Sequence, residues 1–138
     1  MTTDPASRNT PYVEEFRANA GKLGGNFEGV PVLLLHTTSA AGGDPRVTPL
    51  TCLPFAEGWA IFASKGGAPT EPAWYLELVA DPQVTIEFGP DTIEVRARVA
   101  TGSERDDIWS RQTELMPAFA GYAQAANRTI PVVVLEGR

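Results

Sequence analysis

Cysteine is almost missing from this chain. Cys52 is the single one in 138 residues, which excludes an internal disulfide and a metal centre built from thiolates. Flanked by Thr51 and Leu53, it reads as a buried, inert thiol rather than a nucleophile. Histidine is equally scarce, with His36 alone, and no acid or hydroxyl partner for it is evident along the chain. A role in the wall of a site or in the structure suits it better than a catalytic triad. No pair of His or carboxylate residues has metal-ligand spacing, so no metal is expected. The motifs G-x-S-x-G, G-x-x-x-x-G-K-[ST] and G-x-G-x-x-G are absent. Positive charge is short as well: 11 Lys and Arg against 17 Asp and Glu leave a net charge of −6, the wrong sign for nucleic acid or an anionic membrane surface. Long apolar runs are missing too. The longest, from Val30 to Leu35, contains Pro31 and cannot span a bilayer. Met1-Thr2-Thr3-Asp4-Pro5 shows neither a basic n-region nor an apolar stretch, so the chain reads as cytoplasmic.

What is present is an ordinary globular composition, 43% hydrophobic and 20% charged, at a length that suits one domain. Residues 1–9 read as a flexible N-terminus and 10–138 as the domain. Thr10, Pro11 and Glu14 signal a helix start, with Val13, Phe16 and Ala20 at helical spacing up to Lys22. The run 31–38 has the length and apolar continuity of a central strand. Residues 46–55 alternate like a half-buried strand in which Pro49 and Pro54 mark a bulge or an edge position. A third strand covers 59–64, and a short helix covers 72–80. The stretches 84–88 and 92–99 form a hairpin across Gly89-Pro90-Asp91. Two helices, the first opened by Ser103 to Asp106 and the second over 118–126, lead to a last buried strand at 130–135. Consecutive strands with tight turns give an antiparallel sheet, and six of them favour an α+β fold with a closed or partly closed β-barrel. The missing βαβ alternation argues against a doubly wound sheet.

With no side-chain catalytic machinery, an enzyme of this size needs a cofactor that carries its own chemistry. Ligand-binding groups gather around Ser64-Lys65-Gly66-Gly67, where a strand turns into a helix near Pro72. A cation, a hydroxyl, flexible amides and a helix start meet there. Arg46, after Gly42-Gly43, adds a guanidinium suited to phosphate, and Trp74 and Tyr75 can wall a flat ring. Taken singly, each is better explained without a ligand: the Gly- and Pro-rich joint as an ordinary turn, Trp74 as core, Arg46 as a surface ion pair.

Four strings carry a family resemblance: Glu15-Phe16-Arg17-Ala18-Asn19-Ala20-Gly21-Lys22, Pro45-Arg46-Val47-Thr48-Pro49-Leu50, Ala63 to Leu78, and Ile130-Pro131-Val132-Val133-Val134. The chain resembles the deazaflavin-dependent nitroreductases, actinobacterial reductases that use coenzyme F420 on a split β-barrel of the FMN-binding type. The resemblance implies hydride transfer from reduced F420 to a small electron-poor acceptor such as a quinone, a nitroaromatic or an activated enone. It also implies cofactor contacts at Arg46, Val47, Pro49, Ala63, Ser64, Lys65, Gly66, Gly67, Pro72, Trp74, Tyr75 and Leu78, with Ser64 and Tyr122 on the substrate side. The expected assembly is a monomer or homodimer, with membrane association only through a quinone substrate. Two departures stand out. The family's Gly-Arg-Lys-Ser/Thr-Gly loop here reads Ser39-Ala40-Ala41-Gly42-Gly43, and each lost charge-assisted contact weakens cofactor binding by roughly 1.5–3 kcal/mol. The substrate-side tyrosines of the nitroimidazole-activating member are replaced by Thr51, Phe119 and Ala125, leaving Tyr122. The alternatives are a non-catalytic barrel holding a lipid or other apolar ligand, and a barrel using FMN.

Overall fold

The computed structural model describes residues 5–24, 30–38, 43–55, 58–64, 67 and 69–137, with side chains from residue 11 onward. In chain order its elements are α1 (Pro5–Ala18), β1 (Val32–Thr38), β2 (Pro45–Phe55), β3 (Gly58–Phe62), α2 (Ala73–Ala80), β4 (Gln83–Phe88), β5 (Asp91–Val99), α3 (Gly102–Leu115), α4 (Ala118–Ala126) and β6 (Val132–Gly137). The strands close into an antiparallel barrel in the order β1-β2-β3-β6-β5-β4. Closure depends on β6 lying between β3 and β5, and on β1 reaching β4 through Leu34↔Glu87, Leu35↔Ile86 and His36↔Thr85.

The side-chain period of two explains which strands look continuous and which alternate. Leu33 and Leu35 of β1 and Val133 and Leu135 of β6 point into the barrel, beside Ile61, Ile86 and Val95. Their neighbours Val32 and Leu34 meet Phe16 of α1, and Val132 and Val134 meet Ile108 of α3 and Phe119 of α4. Both faces of β1 and β6 are therefore apolar. On β5, Val95 and Ala97 are buried while Glu94 and Arg96 face water. That strand alternates because no helix covers it there.

Both prolines of β2 sit where the strand has one neighbour. Pro49 pairs with Leu34 of β1, beyond the part of β2 that reaches β3. Pro54 pairs with Trp59 of β3, beyond the part that reaches β1. A residue without an N–H is cheapest where one side of the strand is unpaired, so the edge reading of these prolines holds and no bulge is needed. Gly21 lies against the β4–β5 turn: a Cβ on it would sit 2.5 Å from the Gly89 Cα, so α1 closes on the hairpin only because glycine stands there.

The first helix differs from expectation. It begins at Pro5, ahead of the Thr10 signal, and carries Pro11 inside it. Pro5 supplies the pre-set φ of a helix start, so the Thr10-Pro11 pair is not the only start available to this segment.

Candidate active site

The antiparallel register gathers the end of β1, the start of β2 and the end of β3 at one rim of the barrel. The start of β4, the end of β5 and the start of β6 lie at the same rim. α2 crosses this rim between β3 and β4. Trp74, 6% exposed, and Leu78 drop from it into the barrel core. Pro72 is buried at the helix start, its carbonyl accepting the Tyr75 N–H at 3.1 Å. Tyr75 is half-buried edge-on to Trp74, and burial together with the charge of Glu71 pushes its phenol up. The packing explanation for Trp74 is therefore what the structure shows, while Tyr75 keeps part of its ring accessible.

Glu77, one turn along α2, is a buried carboxylate. Its Oε1 accepts the Thr37 hydroxyl at 2.7 Å, and its Oε2 accepts Arg46 Nε at 3.2 Å. The side chains of Arg46 and Glu77 are 17% and 4% exposed. Arg46 is thus in an ion pair, but a part-buried one with a buried carboxylate rather than the surface pair that its sequence context suggested. Among the described residues its two terminal amino groups have no bonded partner, nor has the Ser64 hydroxyl. One edge of the guanidinium is fixed by the protein and the other is free to receive an anion. That donor set fits the anionic arm of a cofactor such as F420.

The remaining expected contacts divide between two faces. Val47 packs outward against the Phe16 cluster beneath α1, and Pro49 shares its row on β2. Ala63 is buried directly after β3, and its N–H bonds the Pro131 carbonyl at 3.1 Å. Gly67 adopts φ +91, its N–H bonding the Ser64 carbonyl at 3.0 Å. A Cβ there would meet Ala125 Cβ at 3.1 Å and Tyr122 Cα at 3.4 Å, so α4 rests on this loop. Tyr122, the retained substrate-side tyrosine, packs on Phe119 with ring centroids 5.1 Å apart. Lys65 and Gly66, like Ala40, Ala41 and Gly42, lie outside the described residues.

Several partners were invisible in sequence because they come from elements far apart in the chain. His36, expected to lack an acid partner, has Nε2 2.7 Å from Glu87 Oε2 on β4. A carboxylate only accepts, so Nε2 carries the proton in this contact. Arg17 of α1 grips the same carboxylate with Nε at 3.0 Å and Nη2 at 2.7 Å. This contact, with a smaller contribution from His36, holds the Glu87 carboxyl below its usual value. Arg128 is a further missed residue: it binds Glu71 and the carbonyls of Ala63 and Thr70.

An apolar pocket of ≈ 200 Å³ opens between α2 and β5, lined by Leu78, Val79, Pro82, Ala97, Val99 and Val133 with Arg98. Drug-sized ligands occupy pockets of about 300–1,000 Å³, and this one is smaller. No helix among the described residues is long and apolar enough to cross a membrane. Among the same residues no group of three or more His, Cys, Asp or Glu gathers as a metal site.

Residues 9–137 match the family described as F420H(2)-dependent quinone reductase. An F420H(2)-dependent quinone reductase of Mycobacterium tuberculosis, Rv1261c, is 38% identical over 127 residues, spanning 89% of this chain and 85% of that protein. The solved structure of an F420-H2 dependent reductase, FDR-A, superposes with a TM-score of 0.69 at 36% identity, covering 77% of this chain and 94% of the other. A second structure, described as a domain-swapped dimer, gives 0.70 at 32% identity and covers 94% and 95%. The heme storage protein HutZ of Vibrio cholerae shares the fold alone, with a TM-score of 0.60 at 17% identity. On a match that runs through almost its whole length, this chain belongs to the F420H(2)-dependent quinone reductase family.

Proposed function

We propose that this protein reduces a quinone-type acceptor with reduced coenzyme F420, and that the cofactor lies at the α2 rim. Arg46 is the observation that carries this placement: a guanidinium oriented by a buried carboxylate, its outer amino groups unspent among the described residues. Bound in reduced form, F420 supplies a hydride from its deazaflavin C5 to an electron-poor acceptor. The chain's own part is binding and orientation. The Arg46 amino groups hold the anionic arm, the Ser64 hydroxyl bonds the polar edge of the ring system, and Tyr75 flanks it. Tyr122, held beside Gly67 by α4, offers a phenol to the acceptor. Trp74 and Leu78 keep water out from below by filling the barrel mouth.

Glu77 offsets the charge of Arg46, and the chain as a whole is acidic. The anionic arm is therefore held by directed hydrogen bonds more than by a positive field. The protein works in the cytoplasm as a monomer or homodimer, meeting the membrane only through its quinone.

Mixing the protein with reduced F420 and menadione tests the reading. The visible absorbance of oxidised deazaflavin should return at a rate proportional to protein, and Arg46→Met should weaken F420 binding. A wild-type protein that neither binds F420 at micromolar concentration nor speeds menadione reduction would refute it. A flavin spectrum in the purified protein would point instead to FMN.

A further inference from the structure

Arg128 stands between α4, whose last turn ends in a left-handed Asn127 at φ 52, and the strand β6. Its side chain is 16% exposed. Nη2 donates to the Ala63 carbonyl at 3.0 Å and to the Thr70 carbonyl at 3.1 Å, with the Ser64 carbonyl at 3.5 Å. Nη1 binds the Glu71 carboxylate. One guanidinium thus joins the beginning of the 63–71 loop to its end and draws the neck shut. Gly67, inside the same loop, lies against Tyr122 and Ala125 of α4. The segment is held at its neck by Arg128 and meets the helix that precedes Arg128 at Gly67.

Such closure has a consequence for binding. A loop of this length left open would sample many conformations, and a ligand needing one of them would lose affinity by the fraction of time that conformation is absent. Lysine cannot reproduce the contact, since an ammonium is a point donor while the guanidinium fork spans several acceptors in one plane.

We propose that Arg128 is a positioning residue: it presets the 63–71 loop for the cofactor without touching the cofactor itself. This rests on the F420 reading above. The role predicts a split between affinity and turnover. Once the cofactor is bound it orders the loop itself, so loss of the clamp raises the Kd and KM for F420 and leaves kcat at saturating cofactor nearly unchanged.

Arg128→Lys keeps the charge, and Glu71→Gln keeps the shape while removing the ionic end of the clamp. Each should weaken F420 binding by roughly 10- to 100-fold, as expected for loss of charge-assisted bonds, with kcat within about twofold of wild type. The double variant should bind no more weakly than the worse single one, because both remove the same clamp. Leu23→Ala, which thins the separate core beneath α1, should lower Tm yet leave F420 affinity unchanged. That separates positioning from general loss of stability. Wild-type binding with an unchanged Kd in Arg128→Lys would overturn the positioning role alone. A fall in kcat at constant Kd would overturn it too, by moving Arg128 into the chemistry. Failure of the wild type to bind F420 would overturn the function reading, and this role with it.

Discussion

Arg46→Met would remove the cation that meets Glu77 and leave a carboxylate 4% exposed with only the Thr37 hydroxyl to bond it. Breaking a buried pair from one side costs about 3–5 kcal/mol, because the surviving charge keeps its desolvation penalty and loses its partner. With total stabilities of about 5–15 kcal/mol for a domain, that is a large share. At a urea m-value of about 2 kcal/mol/M, the midpoint should fall by about 1.5–2.5 M. Glu77→Gln keeps an acceptor for Thr37 and costs less, about 1.5–3 kcal/mol, through the weakened bond to Arg46. Removing all three polar groups together, as Thr37→Val, Arg46→Met and Glu77→Leu, should recover most of the loss, since no buried charge or hydroxyl is then stranded. Urea melts followed by Trp fluorescence suit the measurement, Trp74 lying one turn from Glu77. A change under about 0.5 kcal/mol for Arg46→Met, or strictly additive effects, would show that water screens the pair and that Glu77 does not hold Arg46 in place.

Three further outcomes follow from the packing. Glu87 is held below its ordinary value of 4.5 mainly by Arg17, so its contribution is present above that pH and is lost as the pH falls through the lower folded value. Glu87→Gln should therefore be less stable than wild type at pH 7, with the gap closing as the pH falls through the lower folded value, and a gap that widens in acid would contradict the sign. Burial pushes the Cys52 thiol up to about 12, so Ellman's reagent should label it only in denaturant. Fast labelling of the native protein would show that β2 opens. Gly58 holds φ +150 against the Leu135 carbonyl, where a Cβ would overlap the oxygen, whereas Gly137 has open space around it. Gly58→Ala should lower stability by about 3 kcal/mol or more and Gly137→Ala by under about 1, as thermal melts would show.

The strands and helices were legible because hydrophobic period and turn residues are local properties. β5 alternates because one face is wet, and β1 and β6 are continuous because helices cover their outer faces. The prolines of β2 even marked where it lacks a second neighbour. What stayed hidden was pairing between side chains, or a side chain and a carbonyl, from elements far apart in the chain. His36 and Glu87 are 51 residues apart, Arg46 and Glu77 are 31 apart, and Arg128 and Ala63 are 65 apart. No periodicity in one sequence links residues at such separations. Arg128 was overlooked for a further reason: its acceptors are largely backbone carbonyls, which leave no mark on residue identity. The start of α1 misled in the other direction, because Thr10 and Pro11 make a good local signal that the helix does not use.

The strand order has a consequence for how the chain reaches this state. β3 finds its second partner in β6, and their nearest pair, Phe62 and Val132, lies 70 residues apart. Until β6 arrives, the run Trp59-Ala60-Ile61-Phe62 presents an apolar row with one bare backbone edge, while β4, β5, α3 and α4 are still being arranged. Edges of that kind recruit other chains, and pairings of such long range form slowly. Yield on refolding should therefore depend on protein concentration more steeply than native stability would suggest, with aggregates seeded at β3.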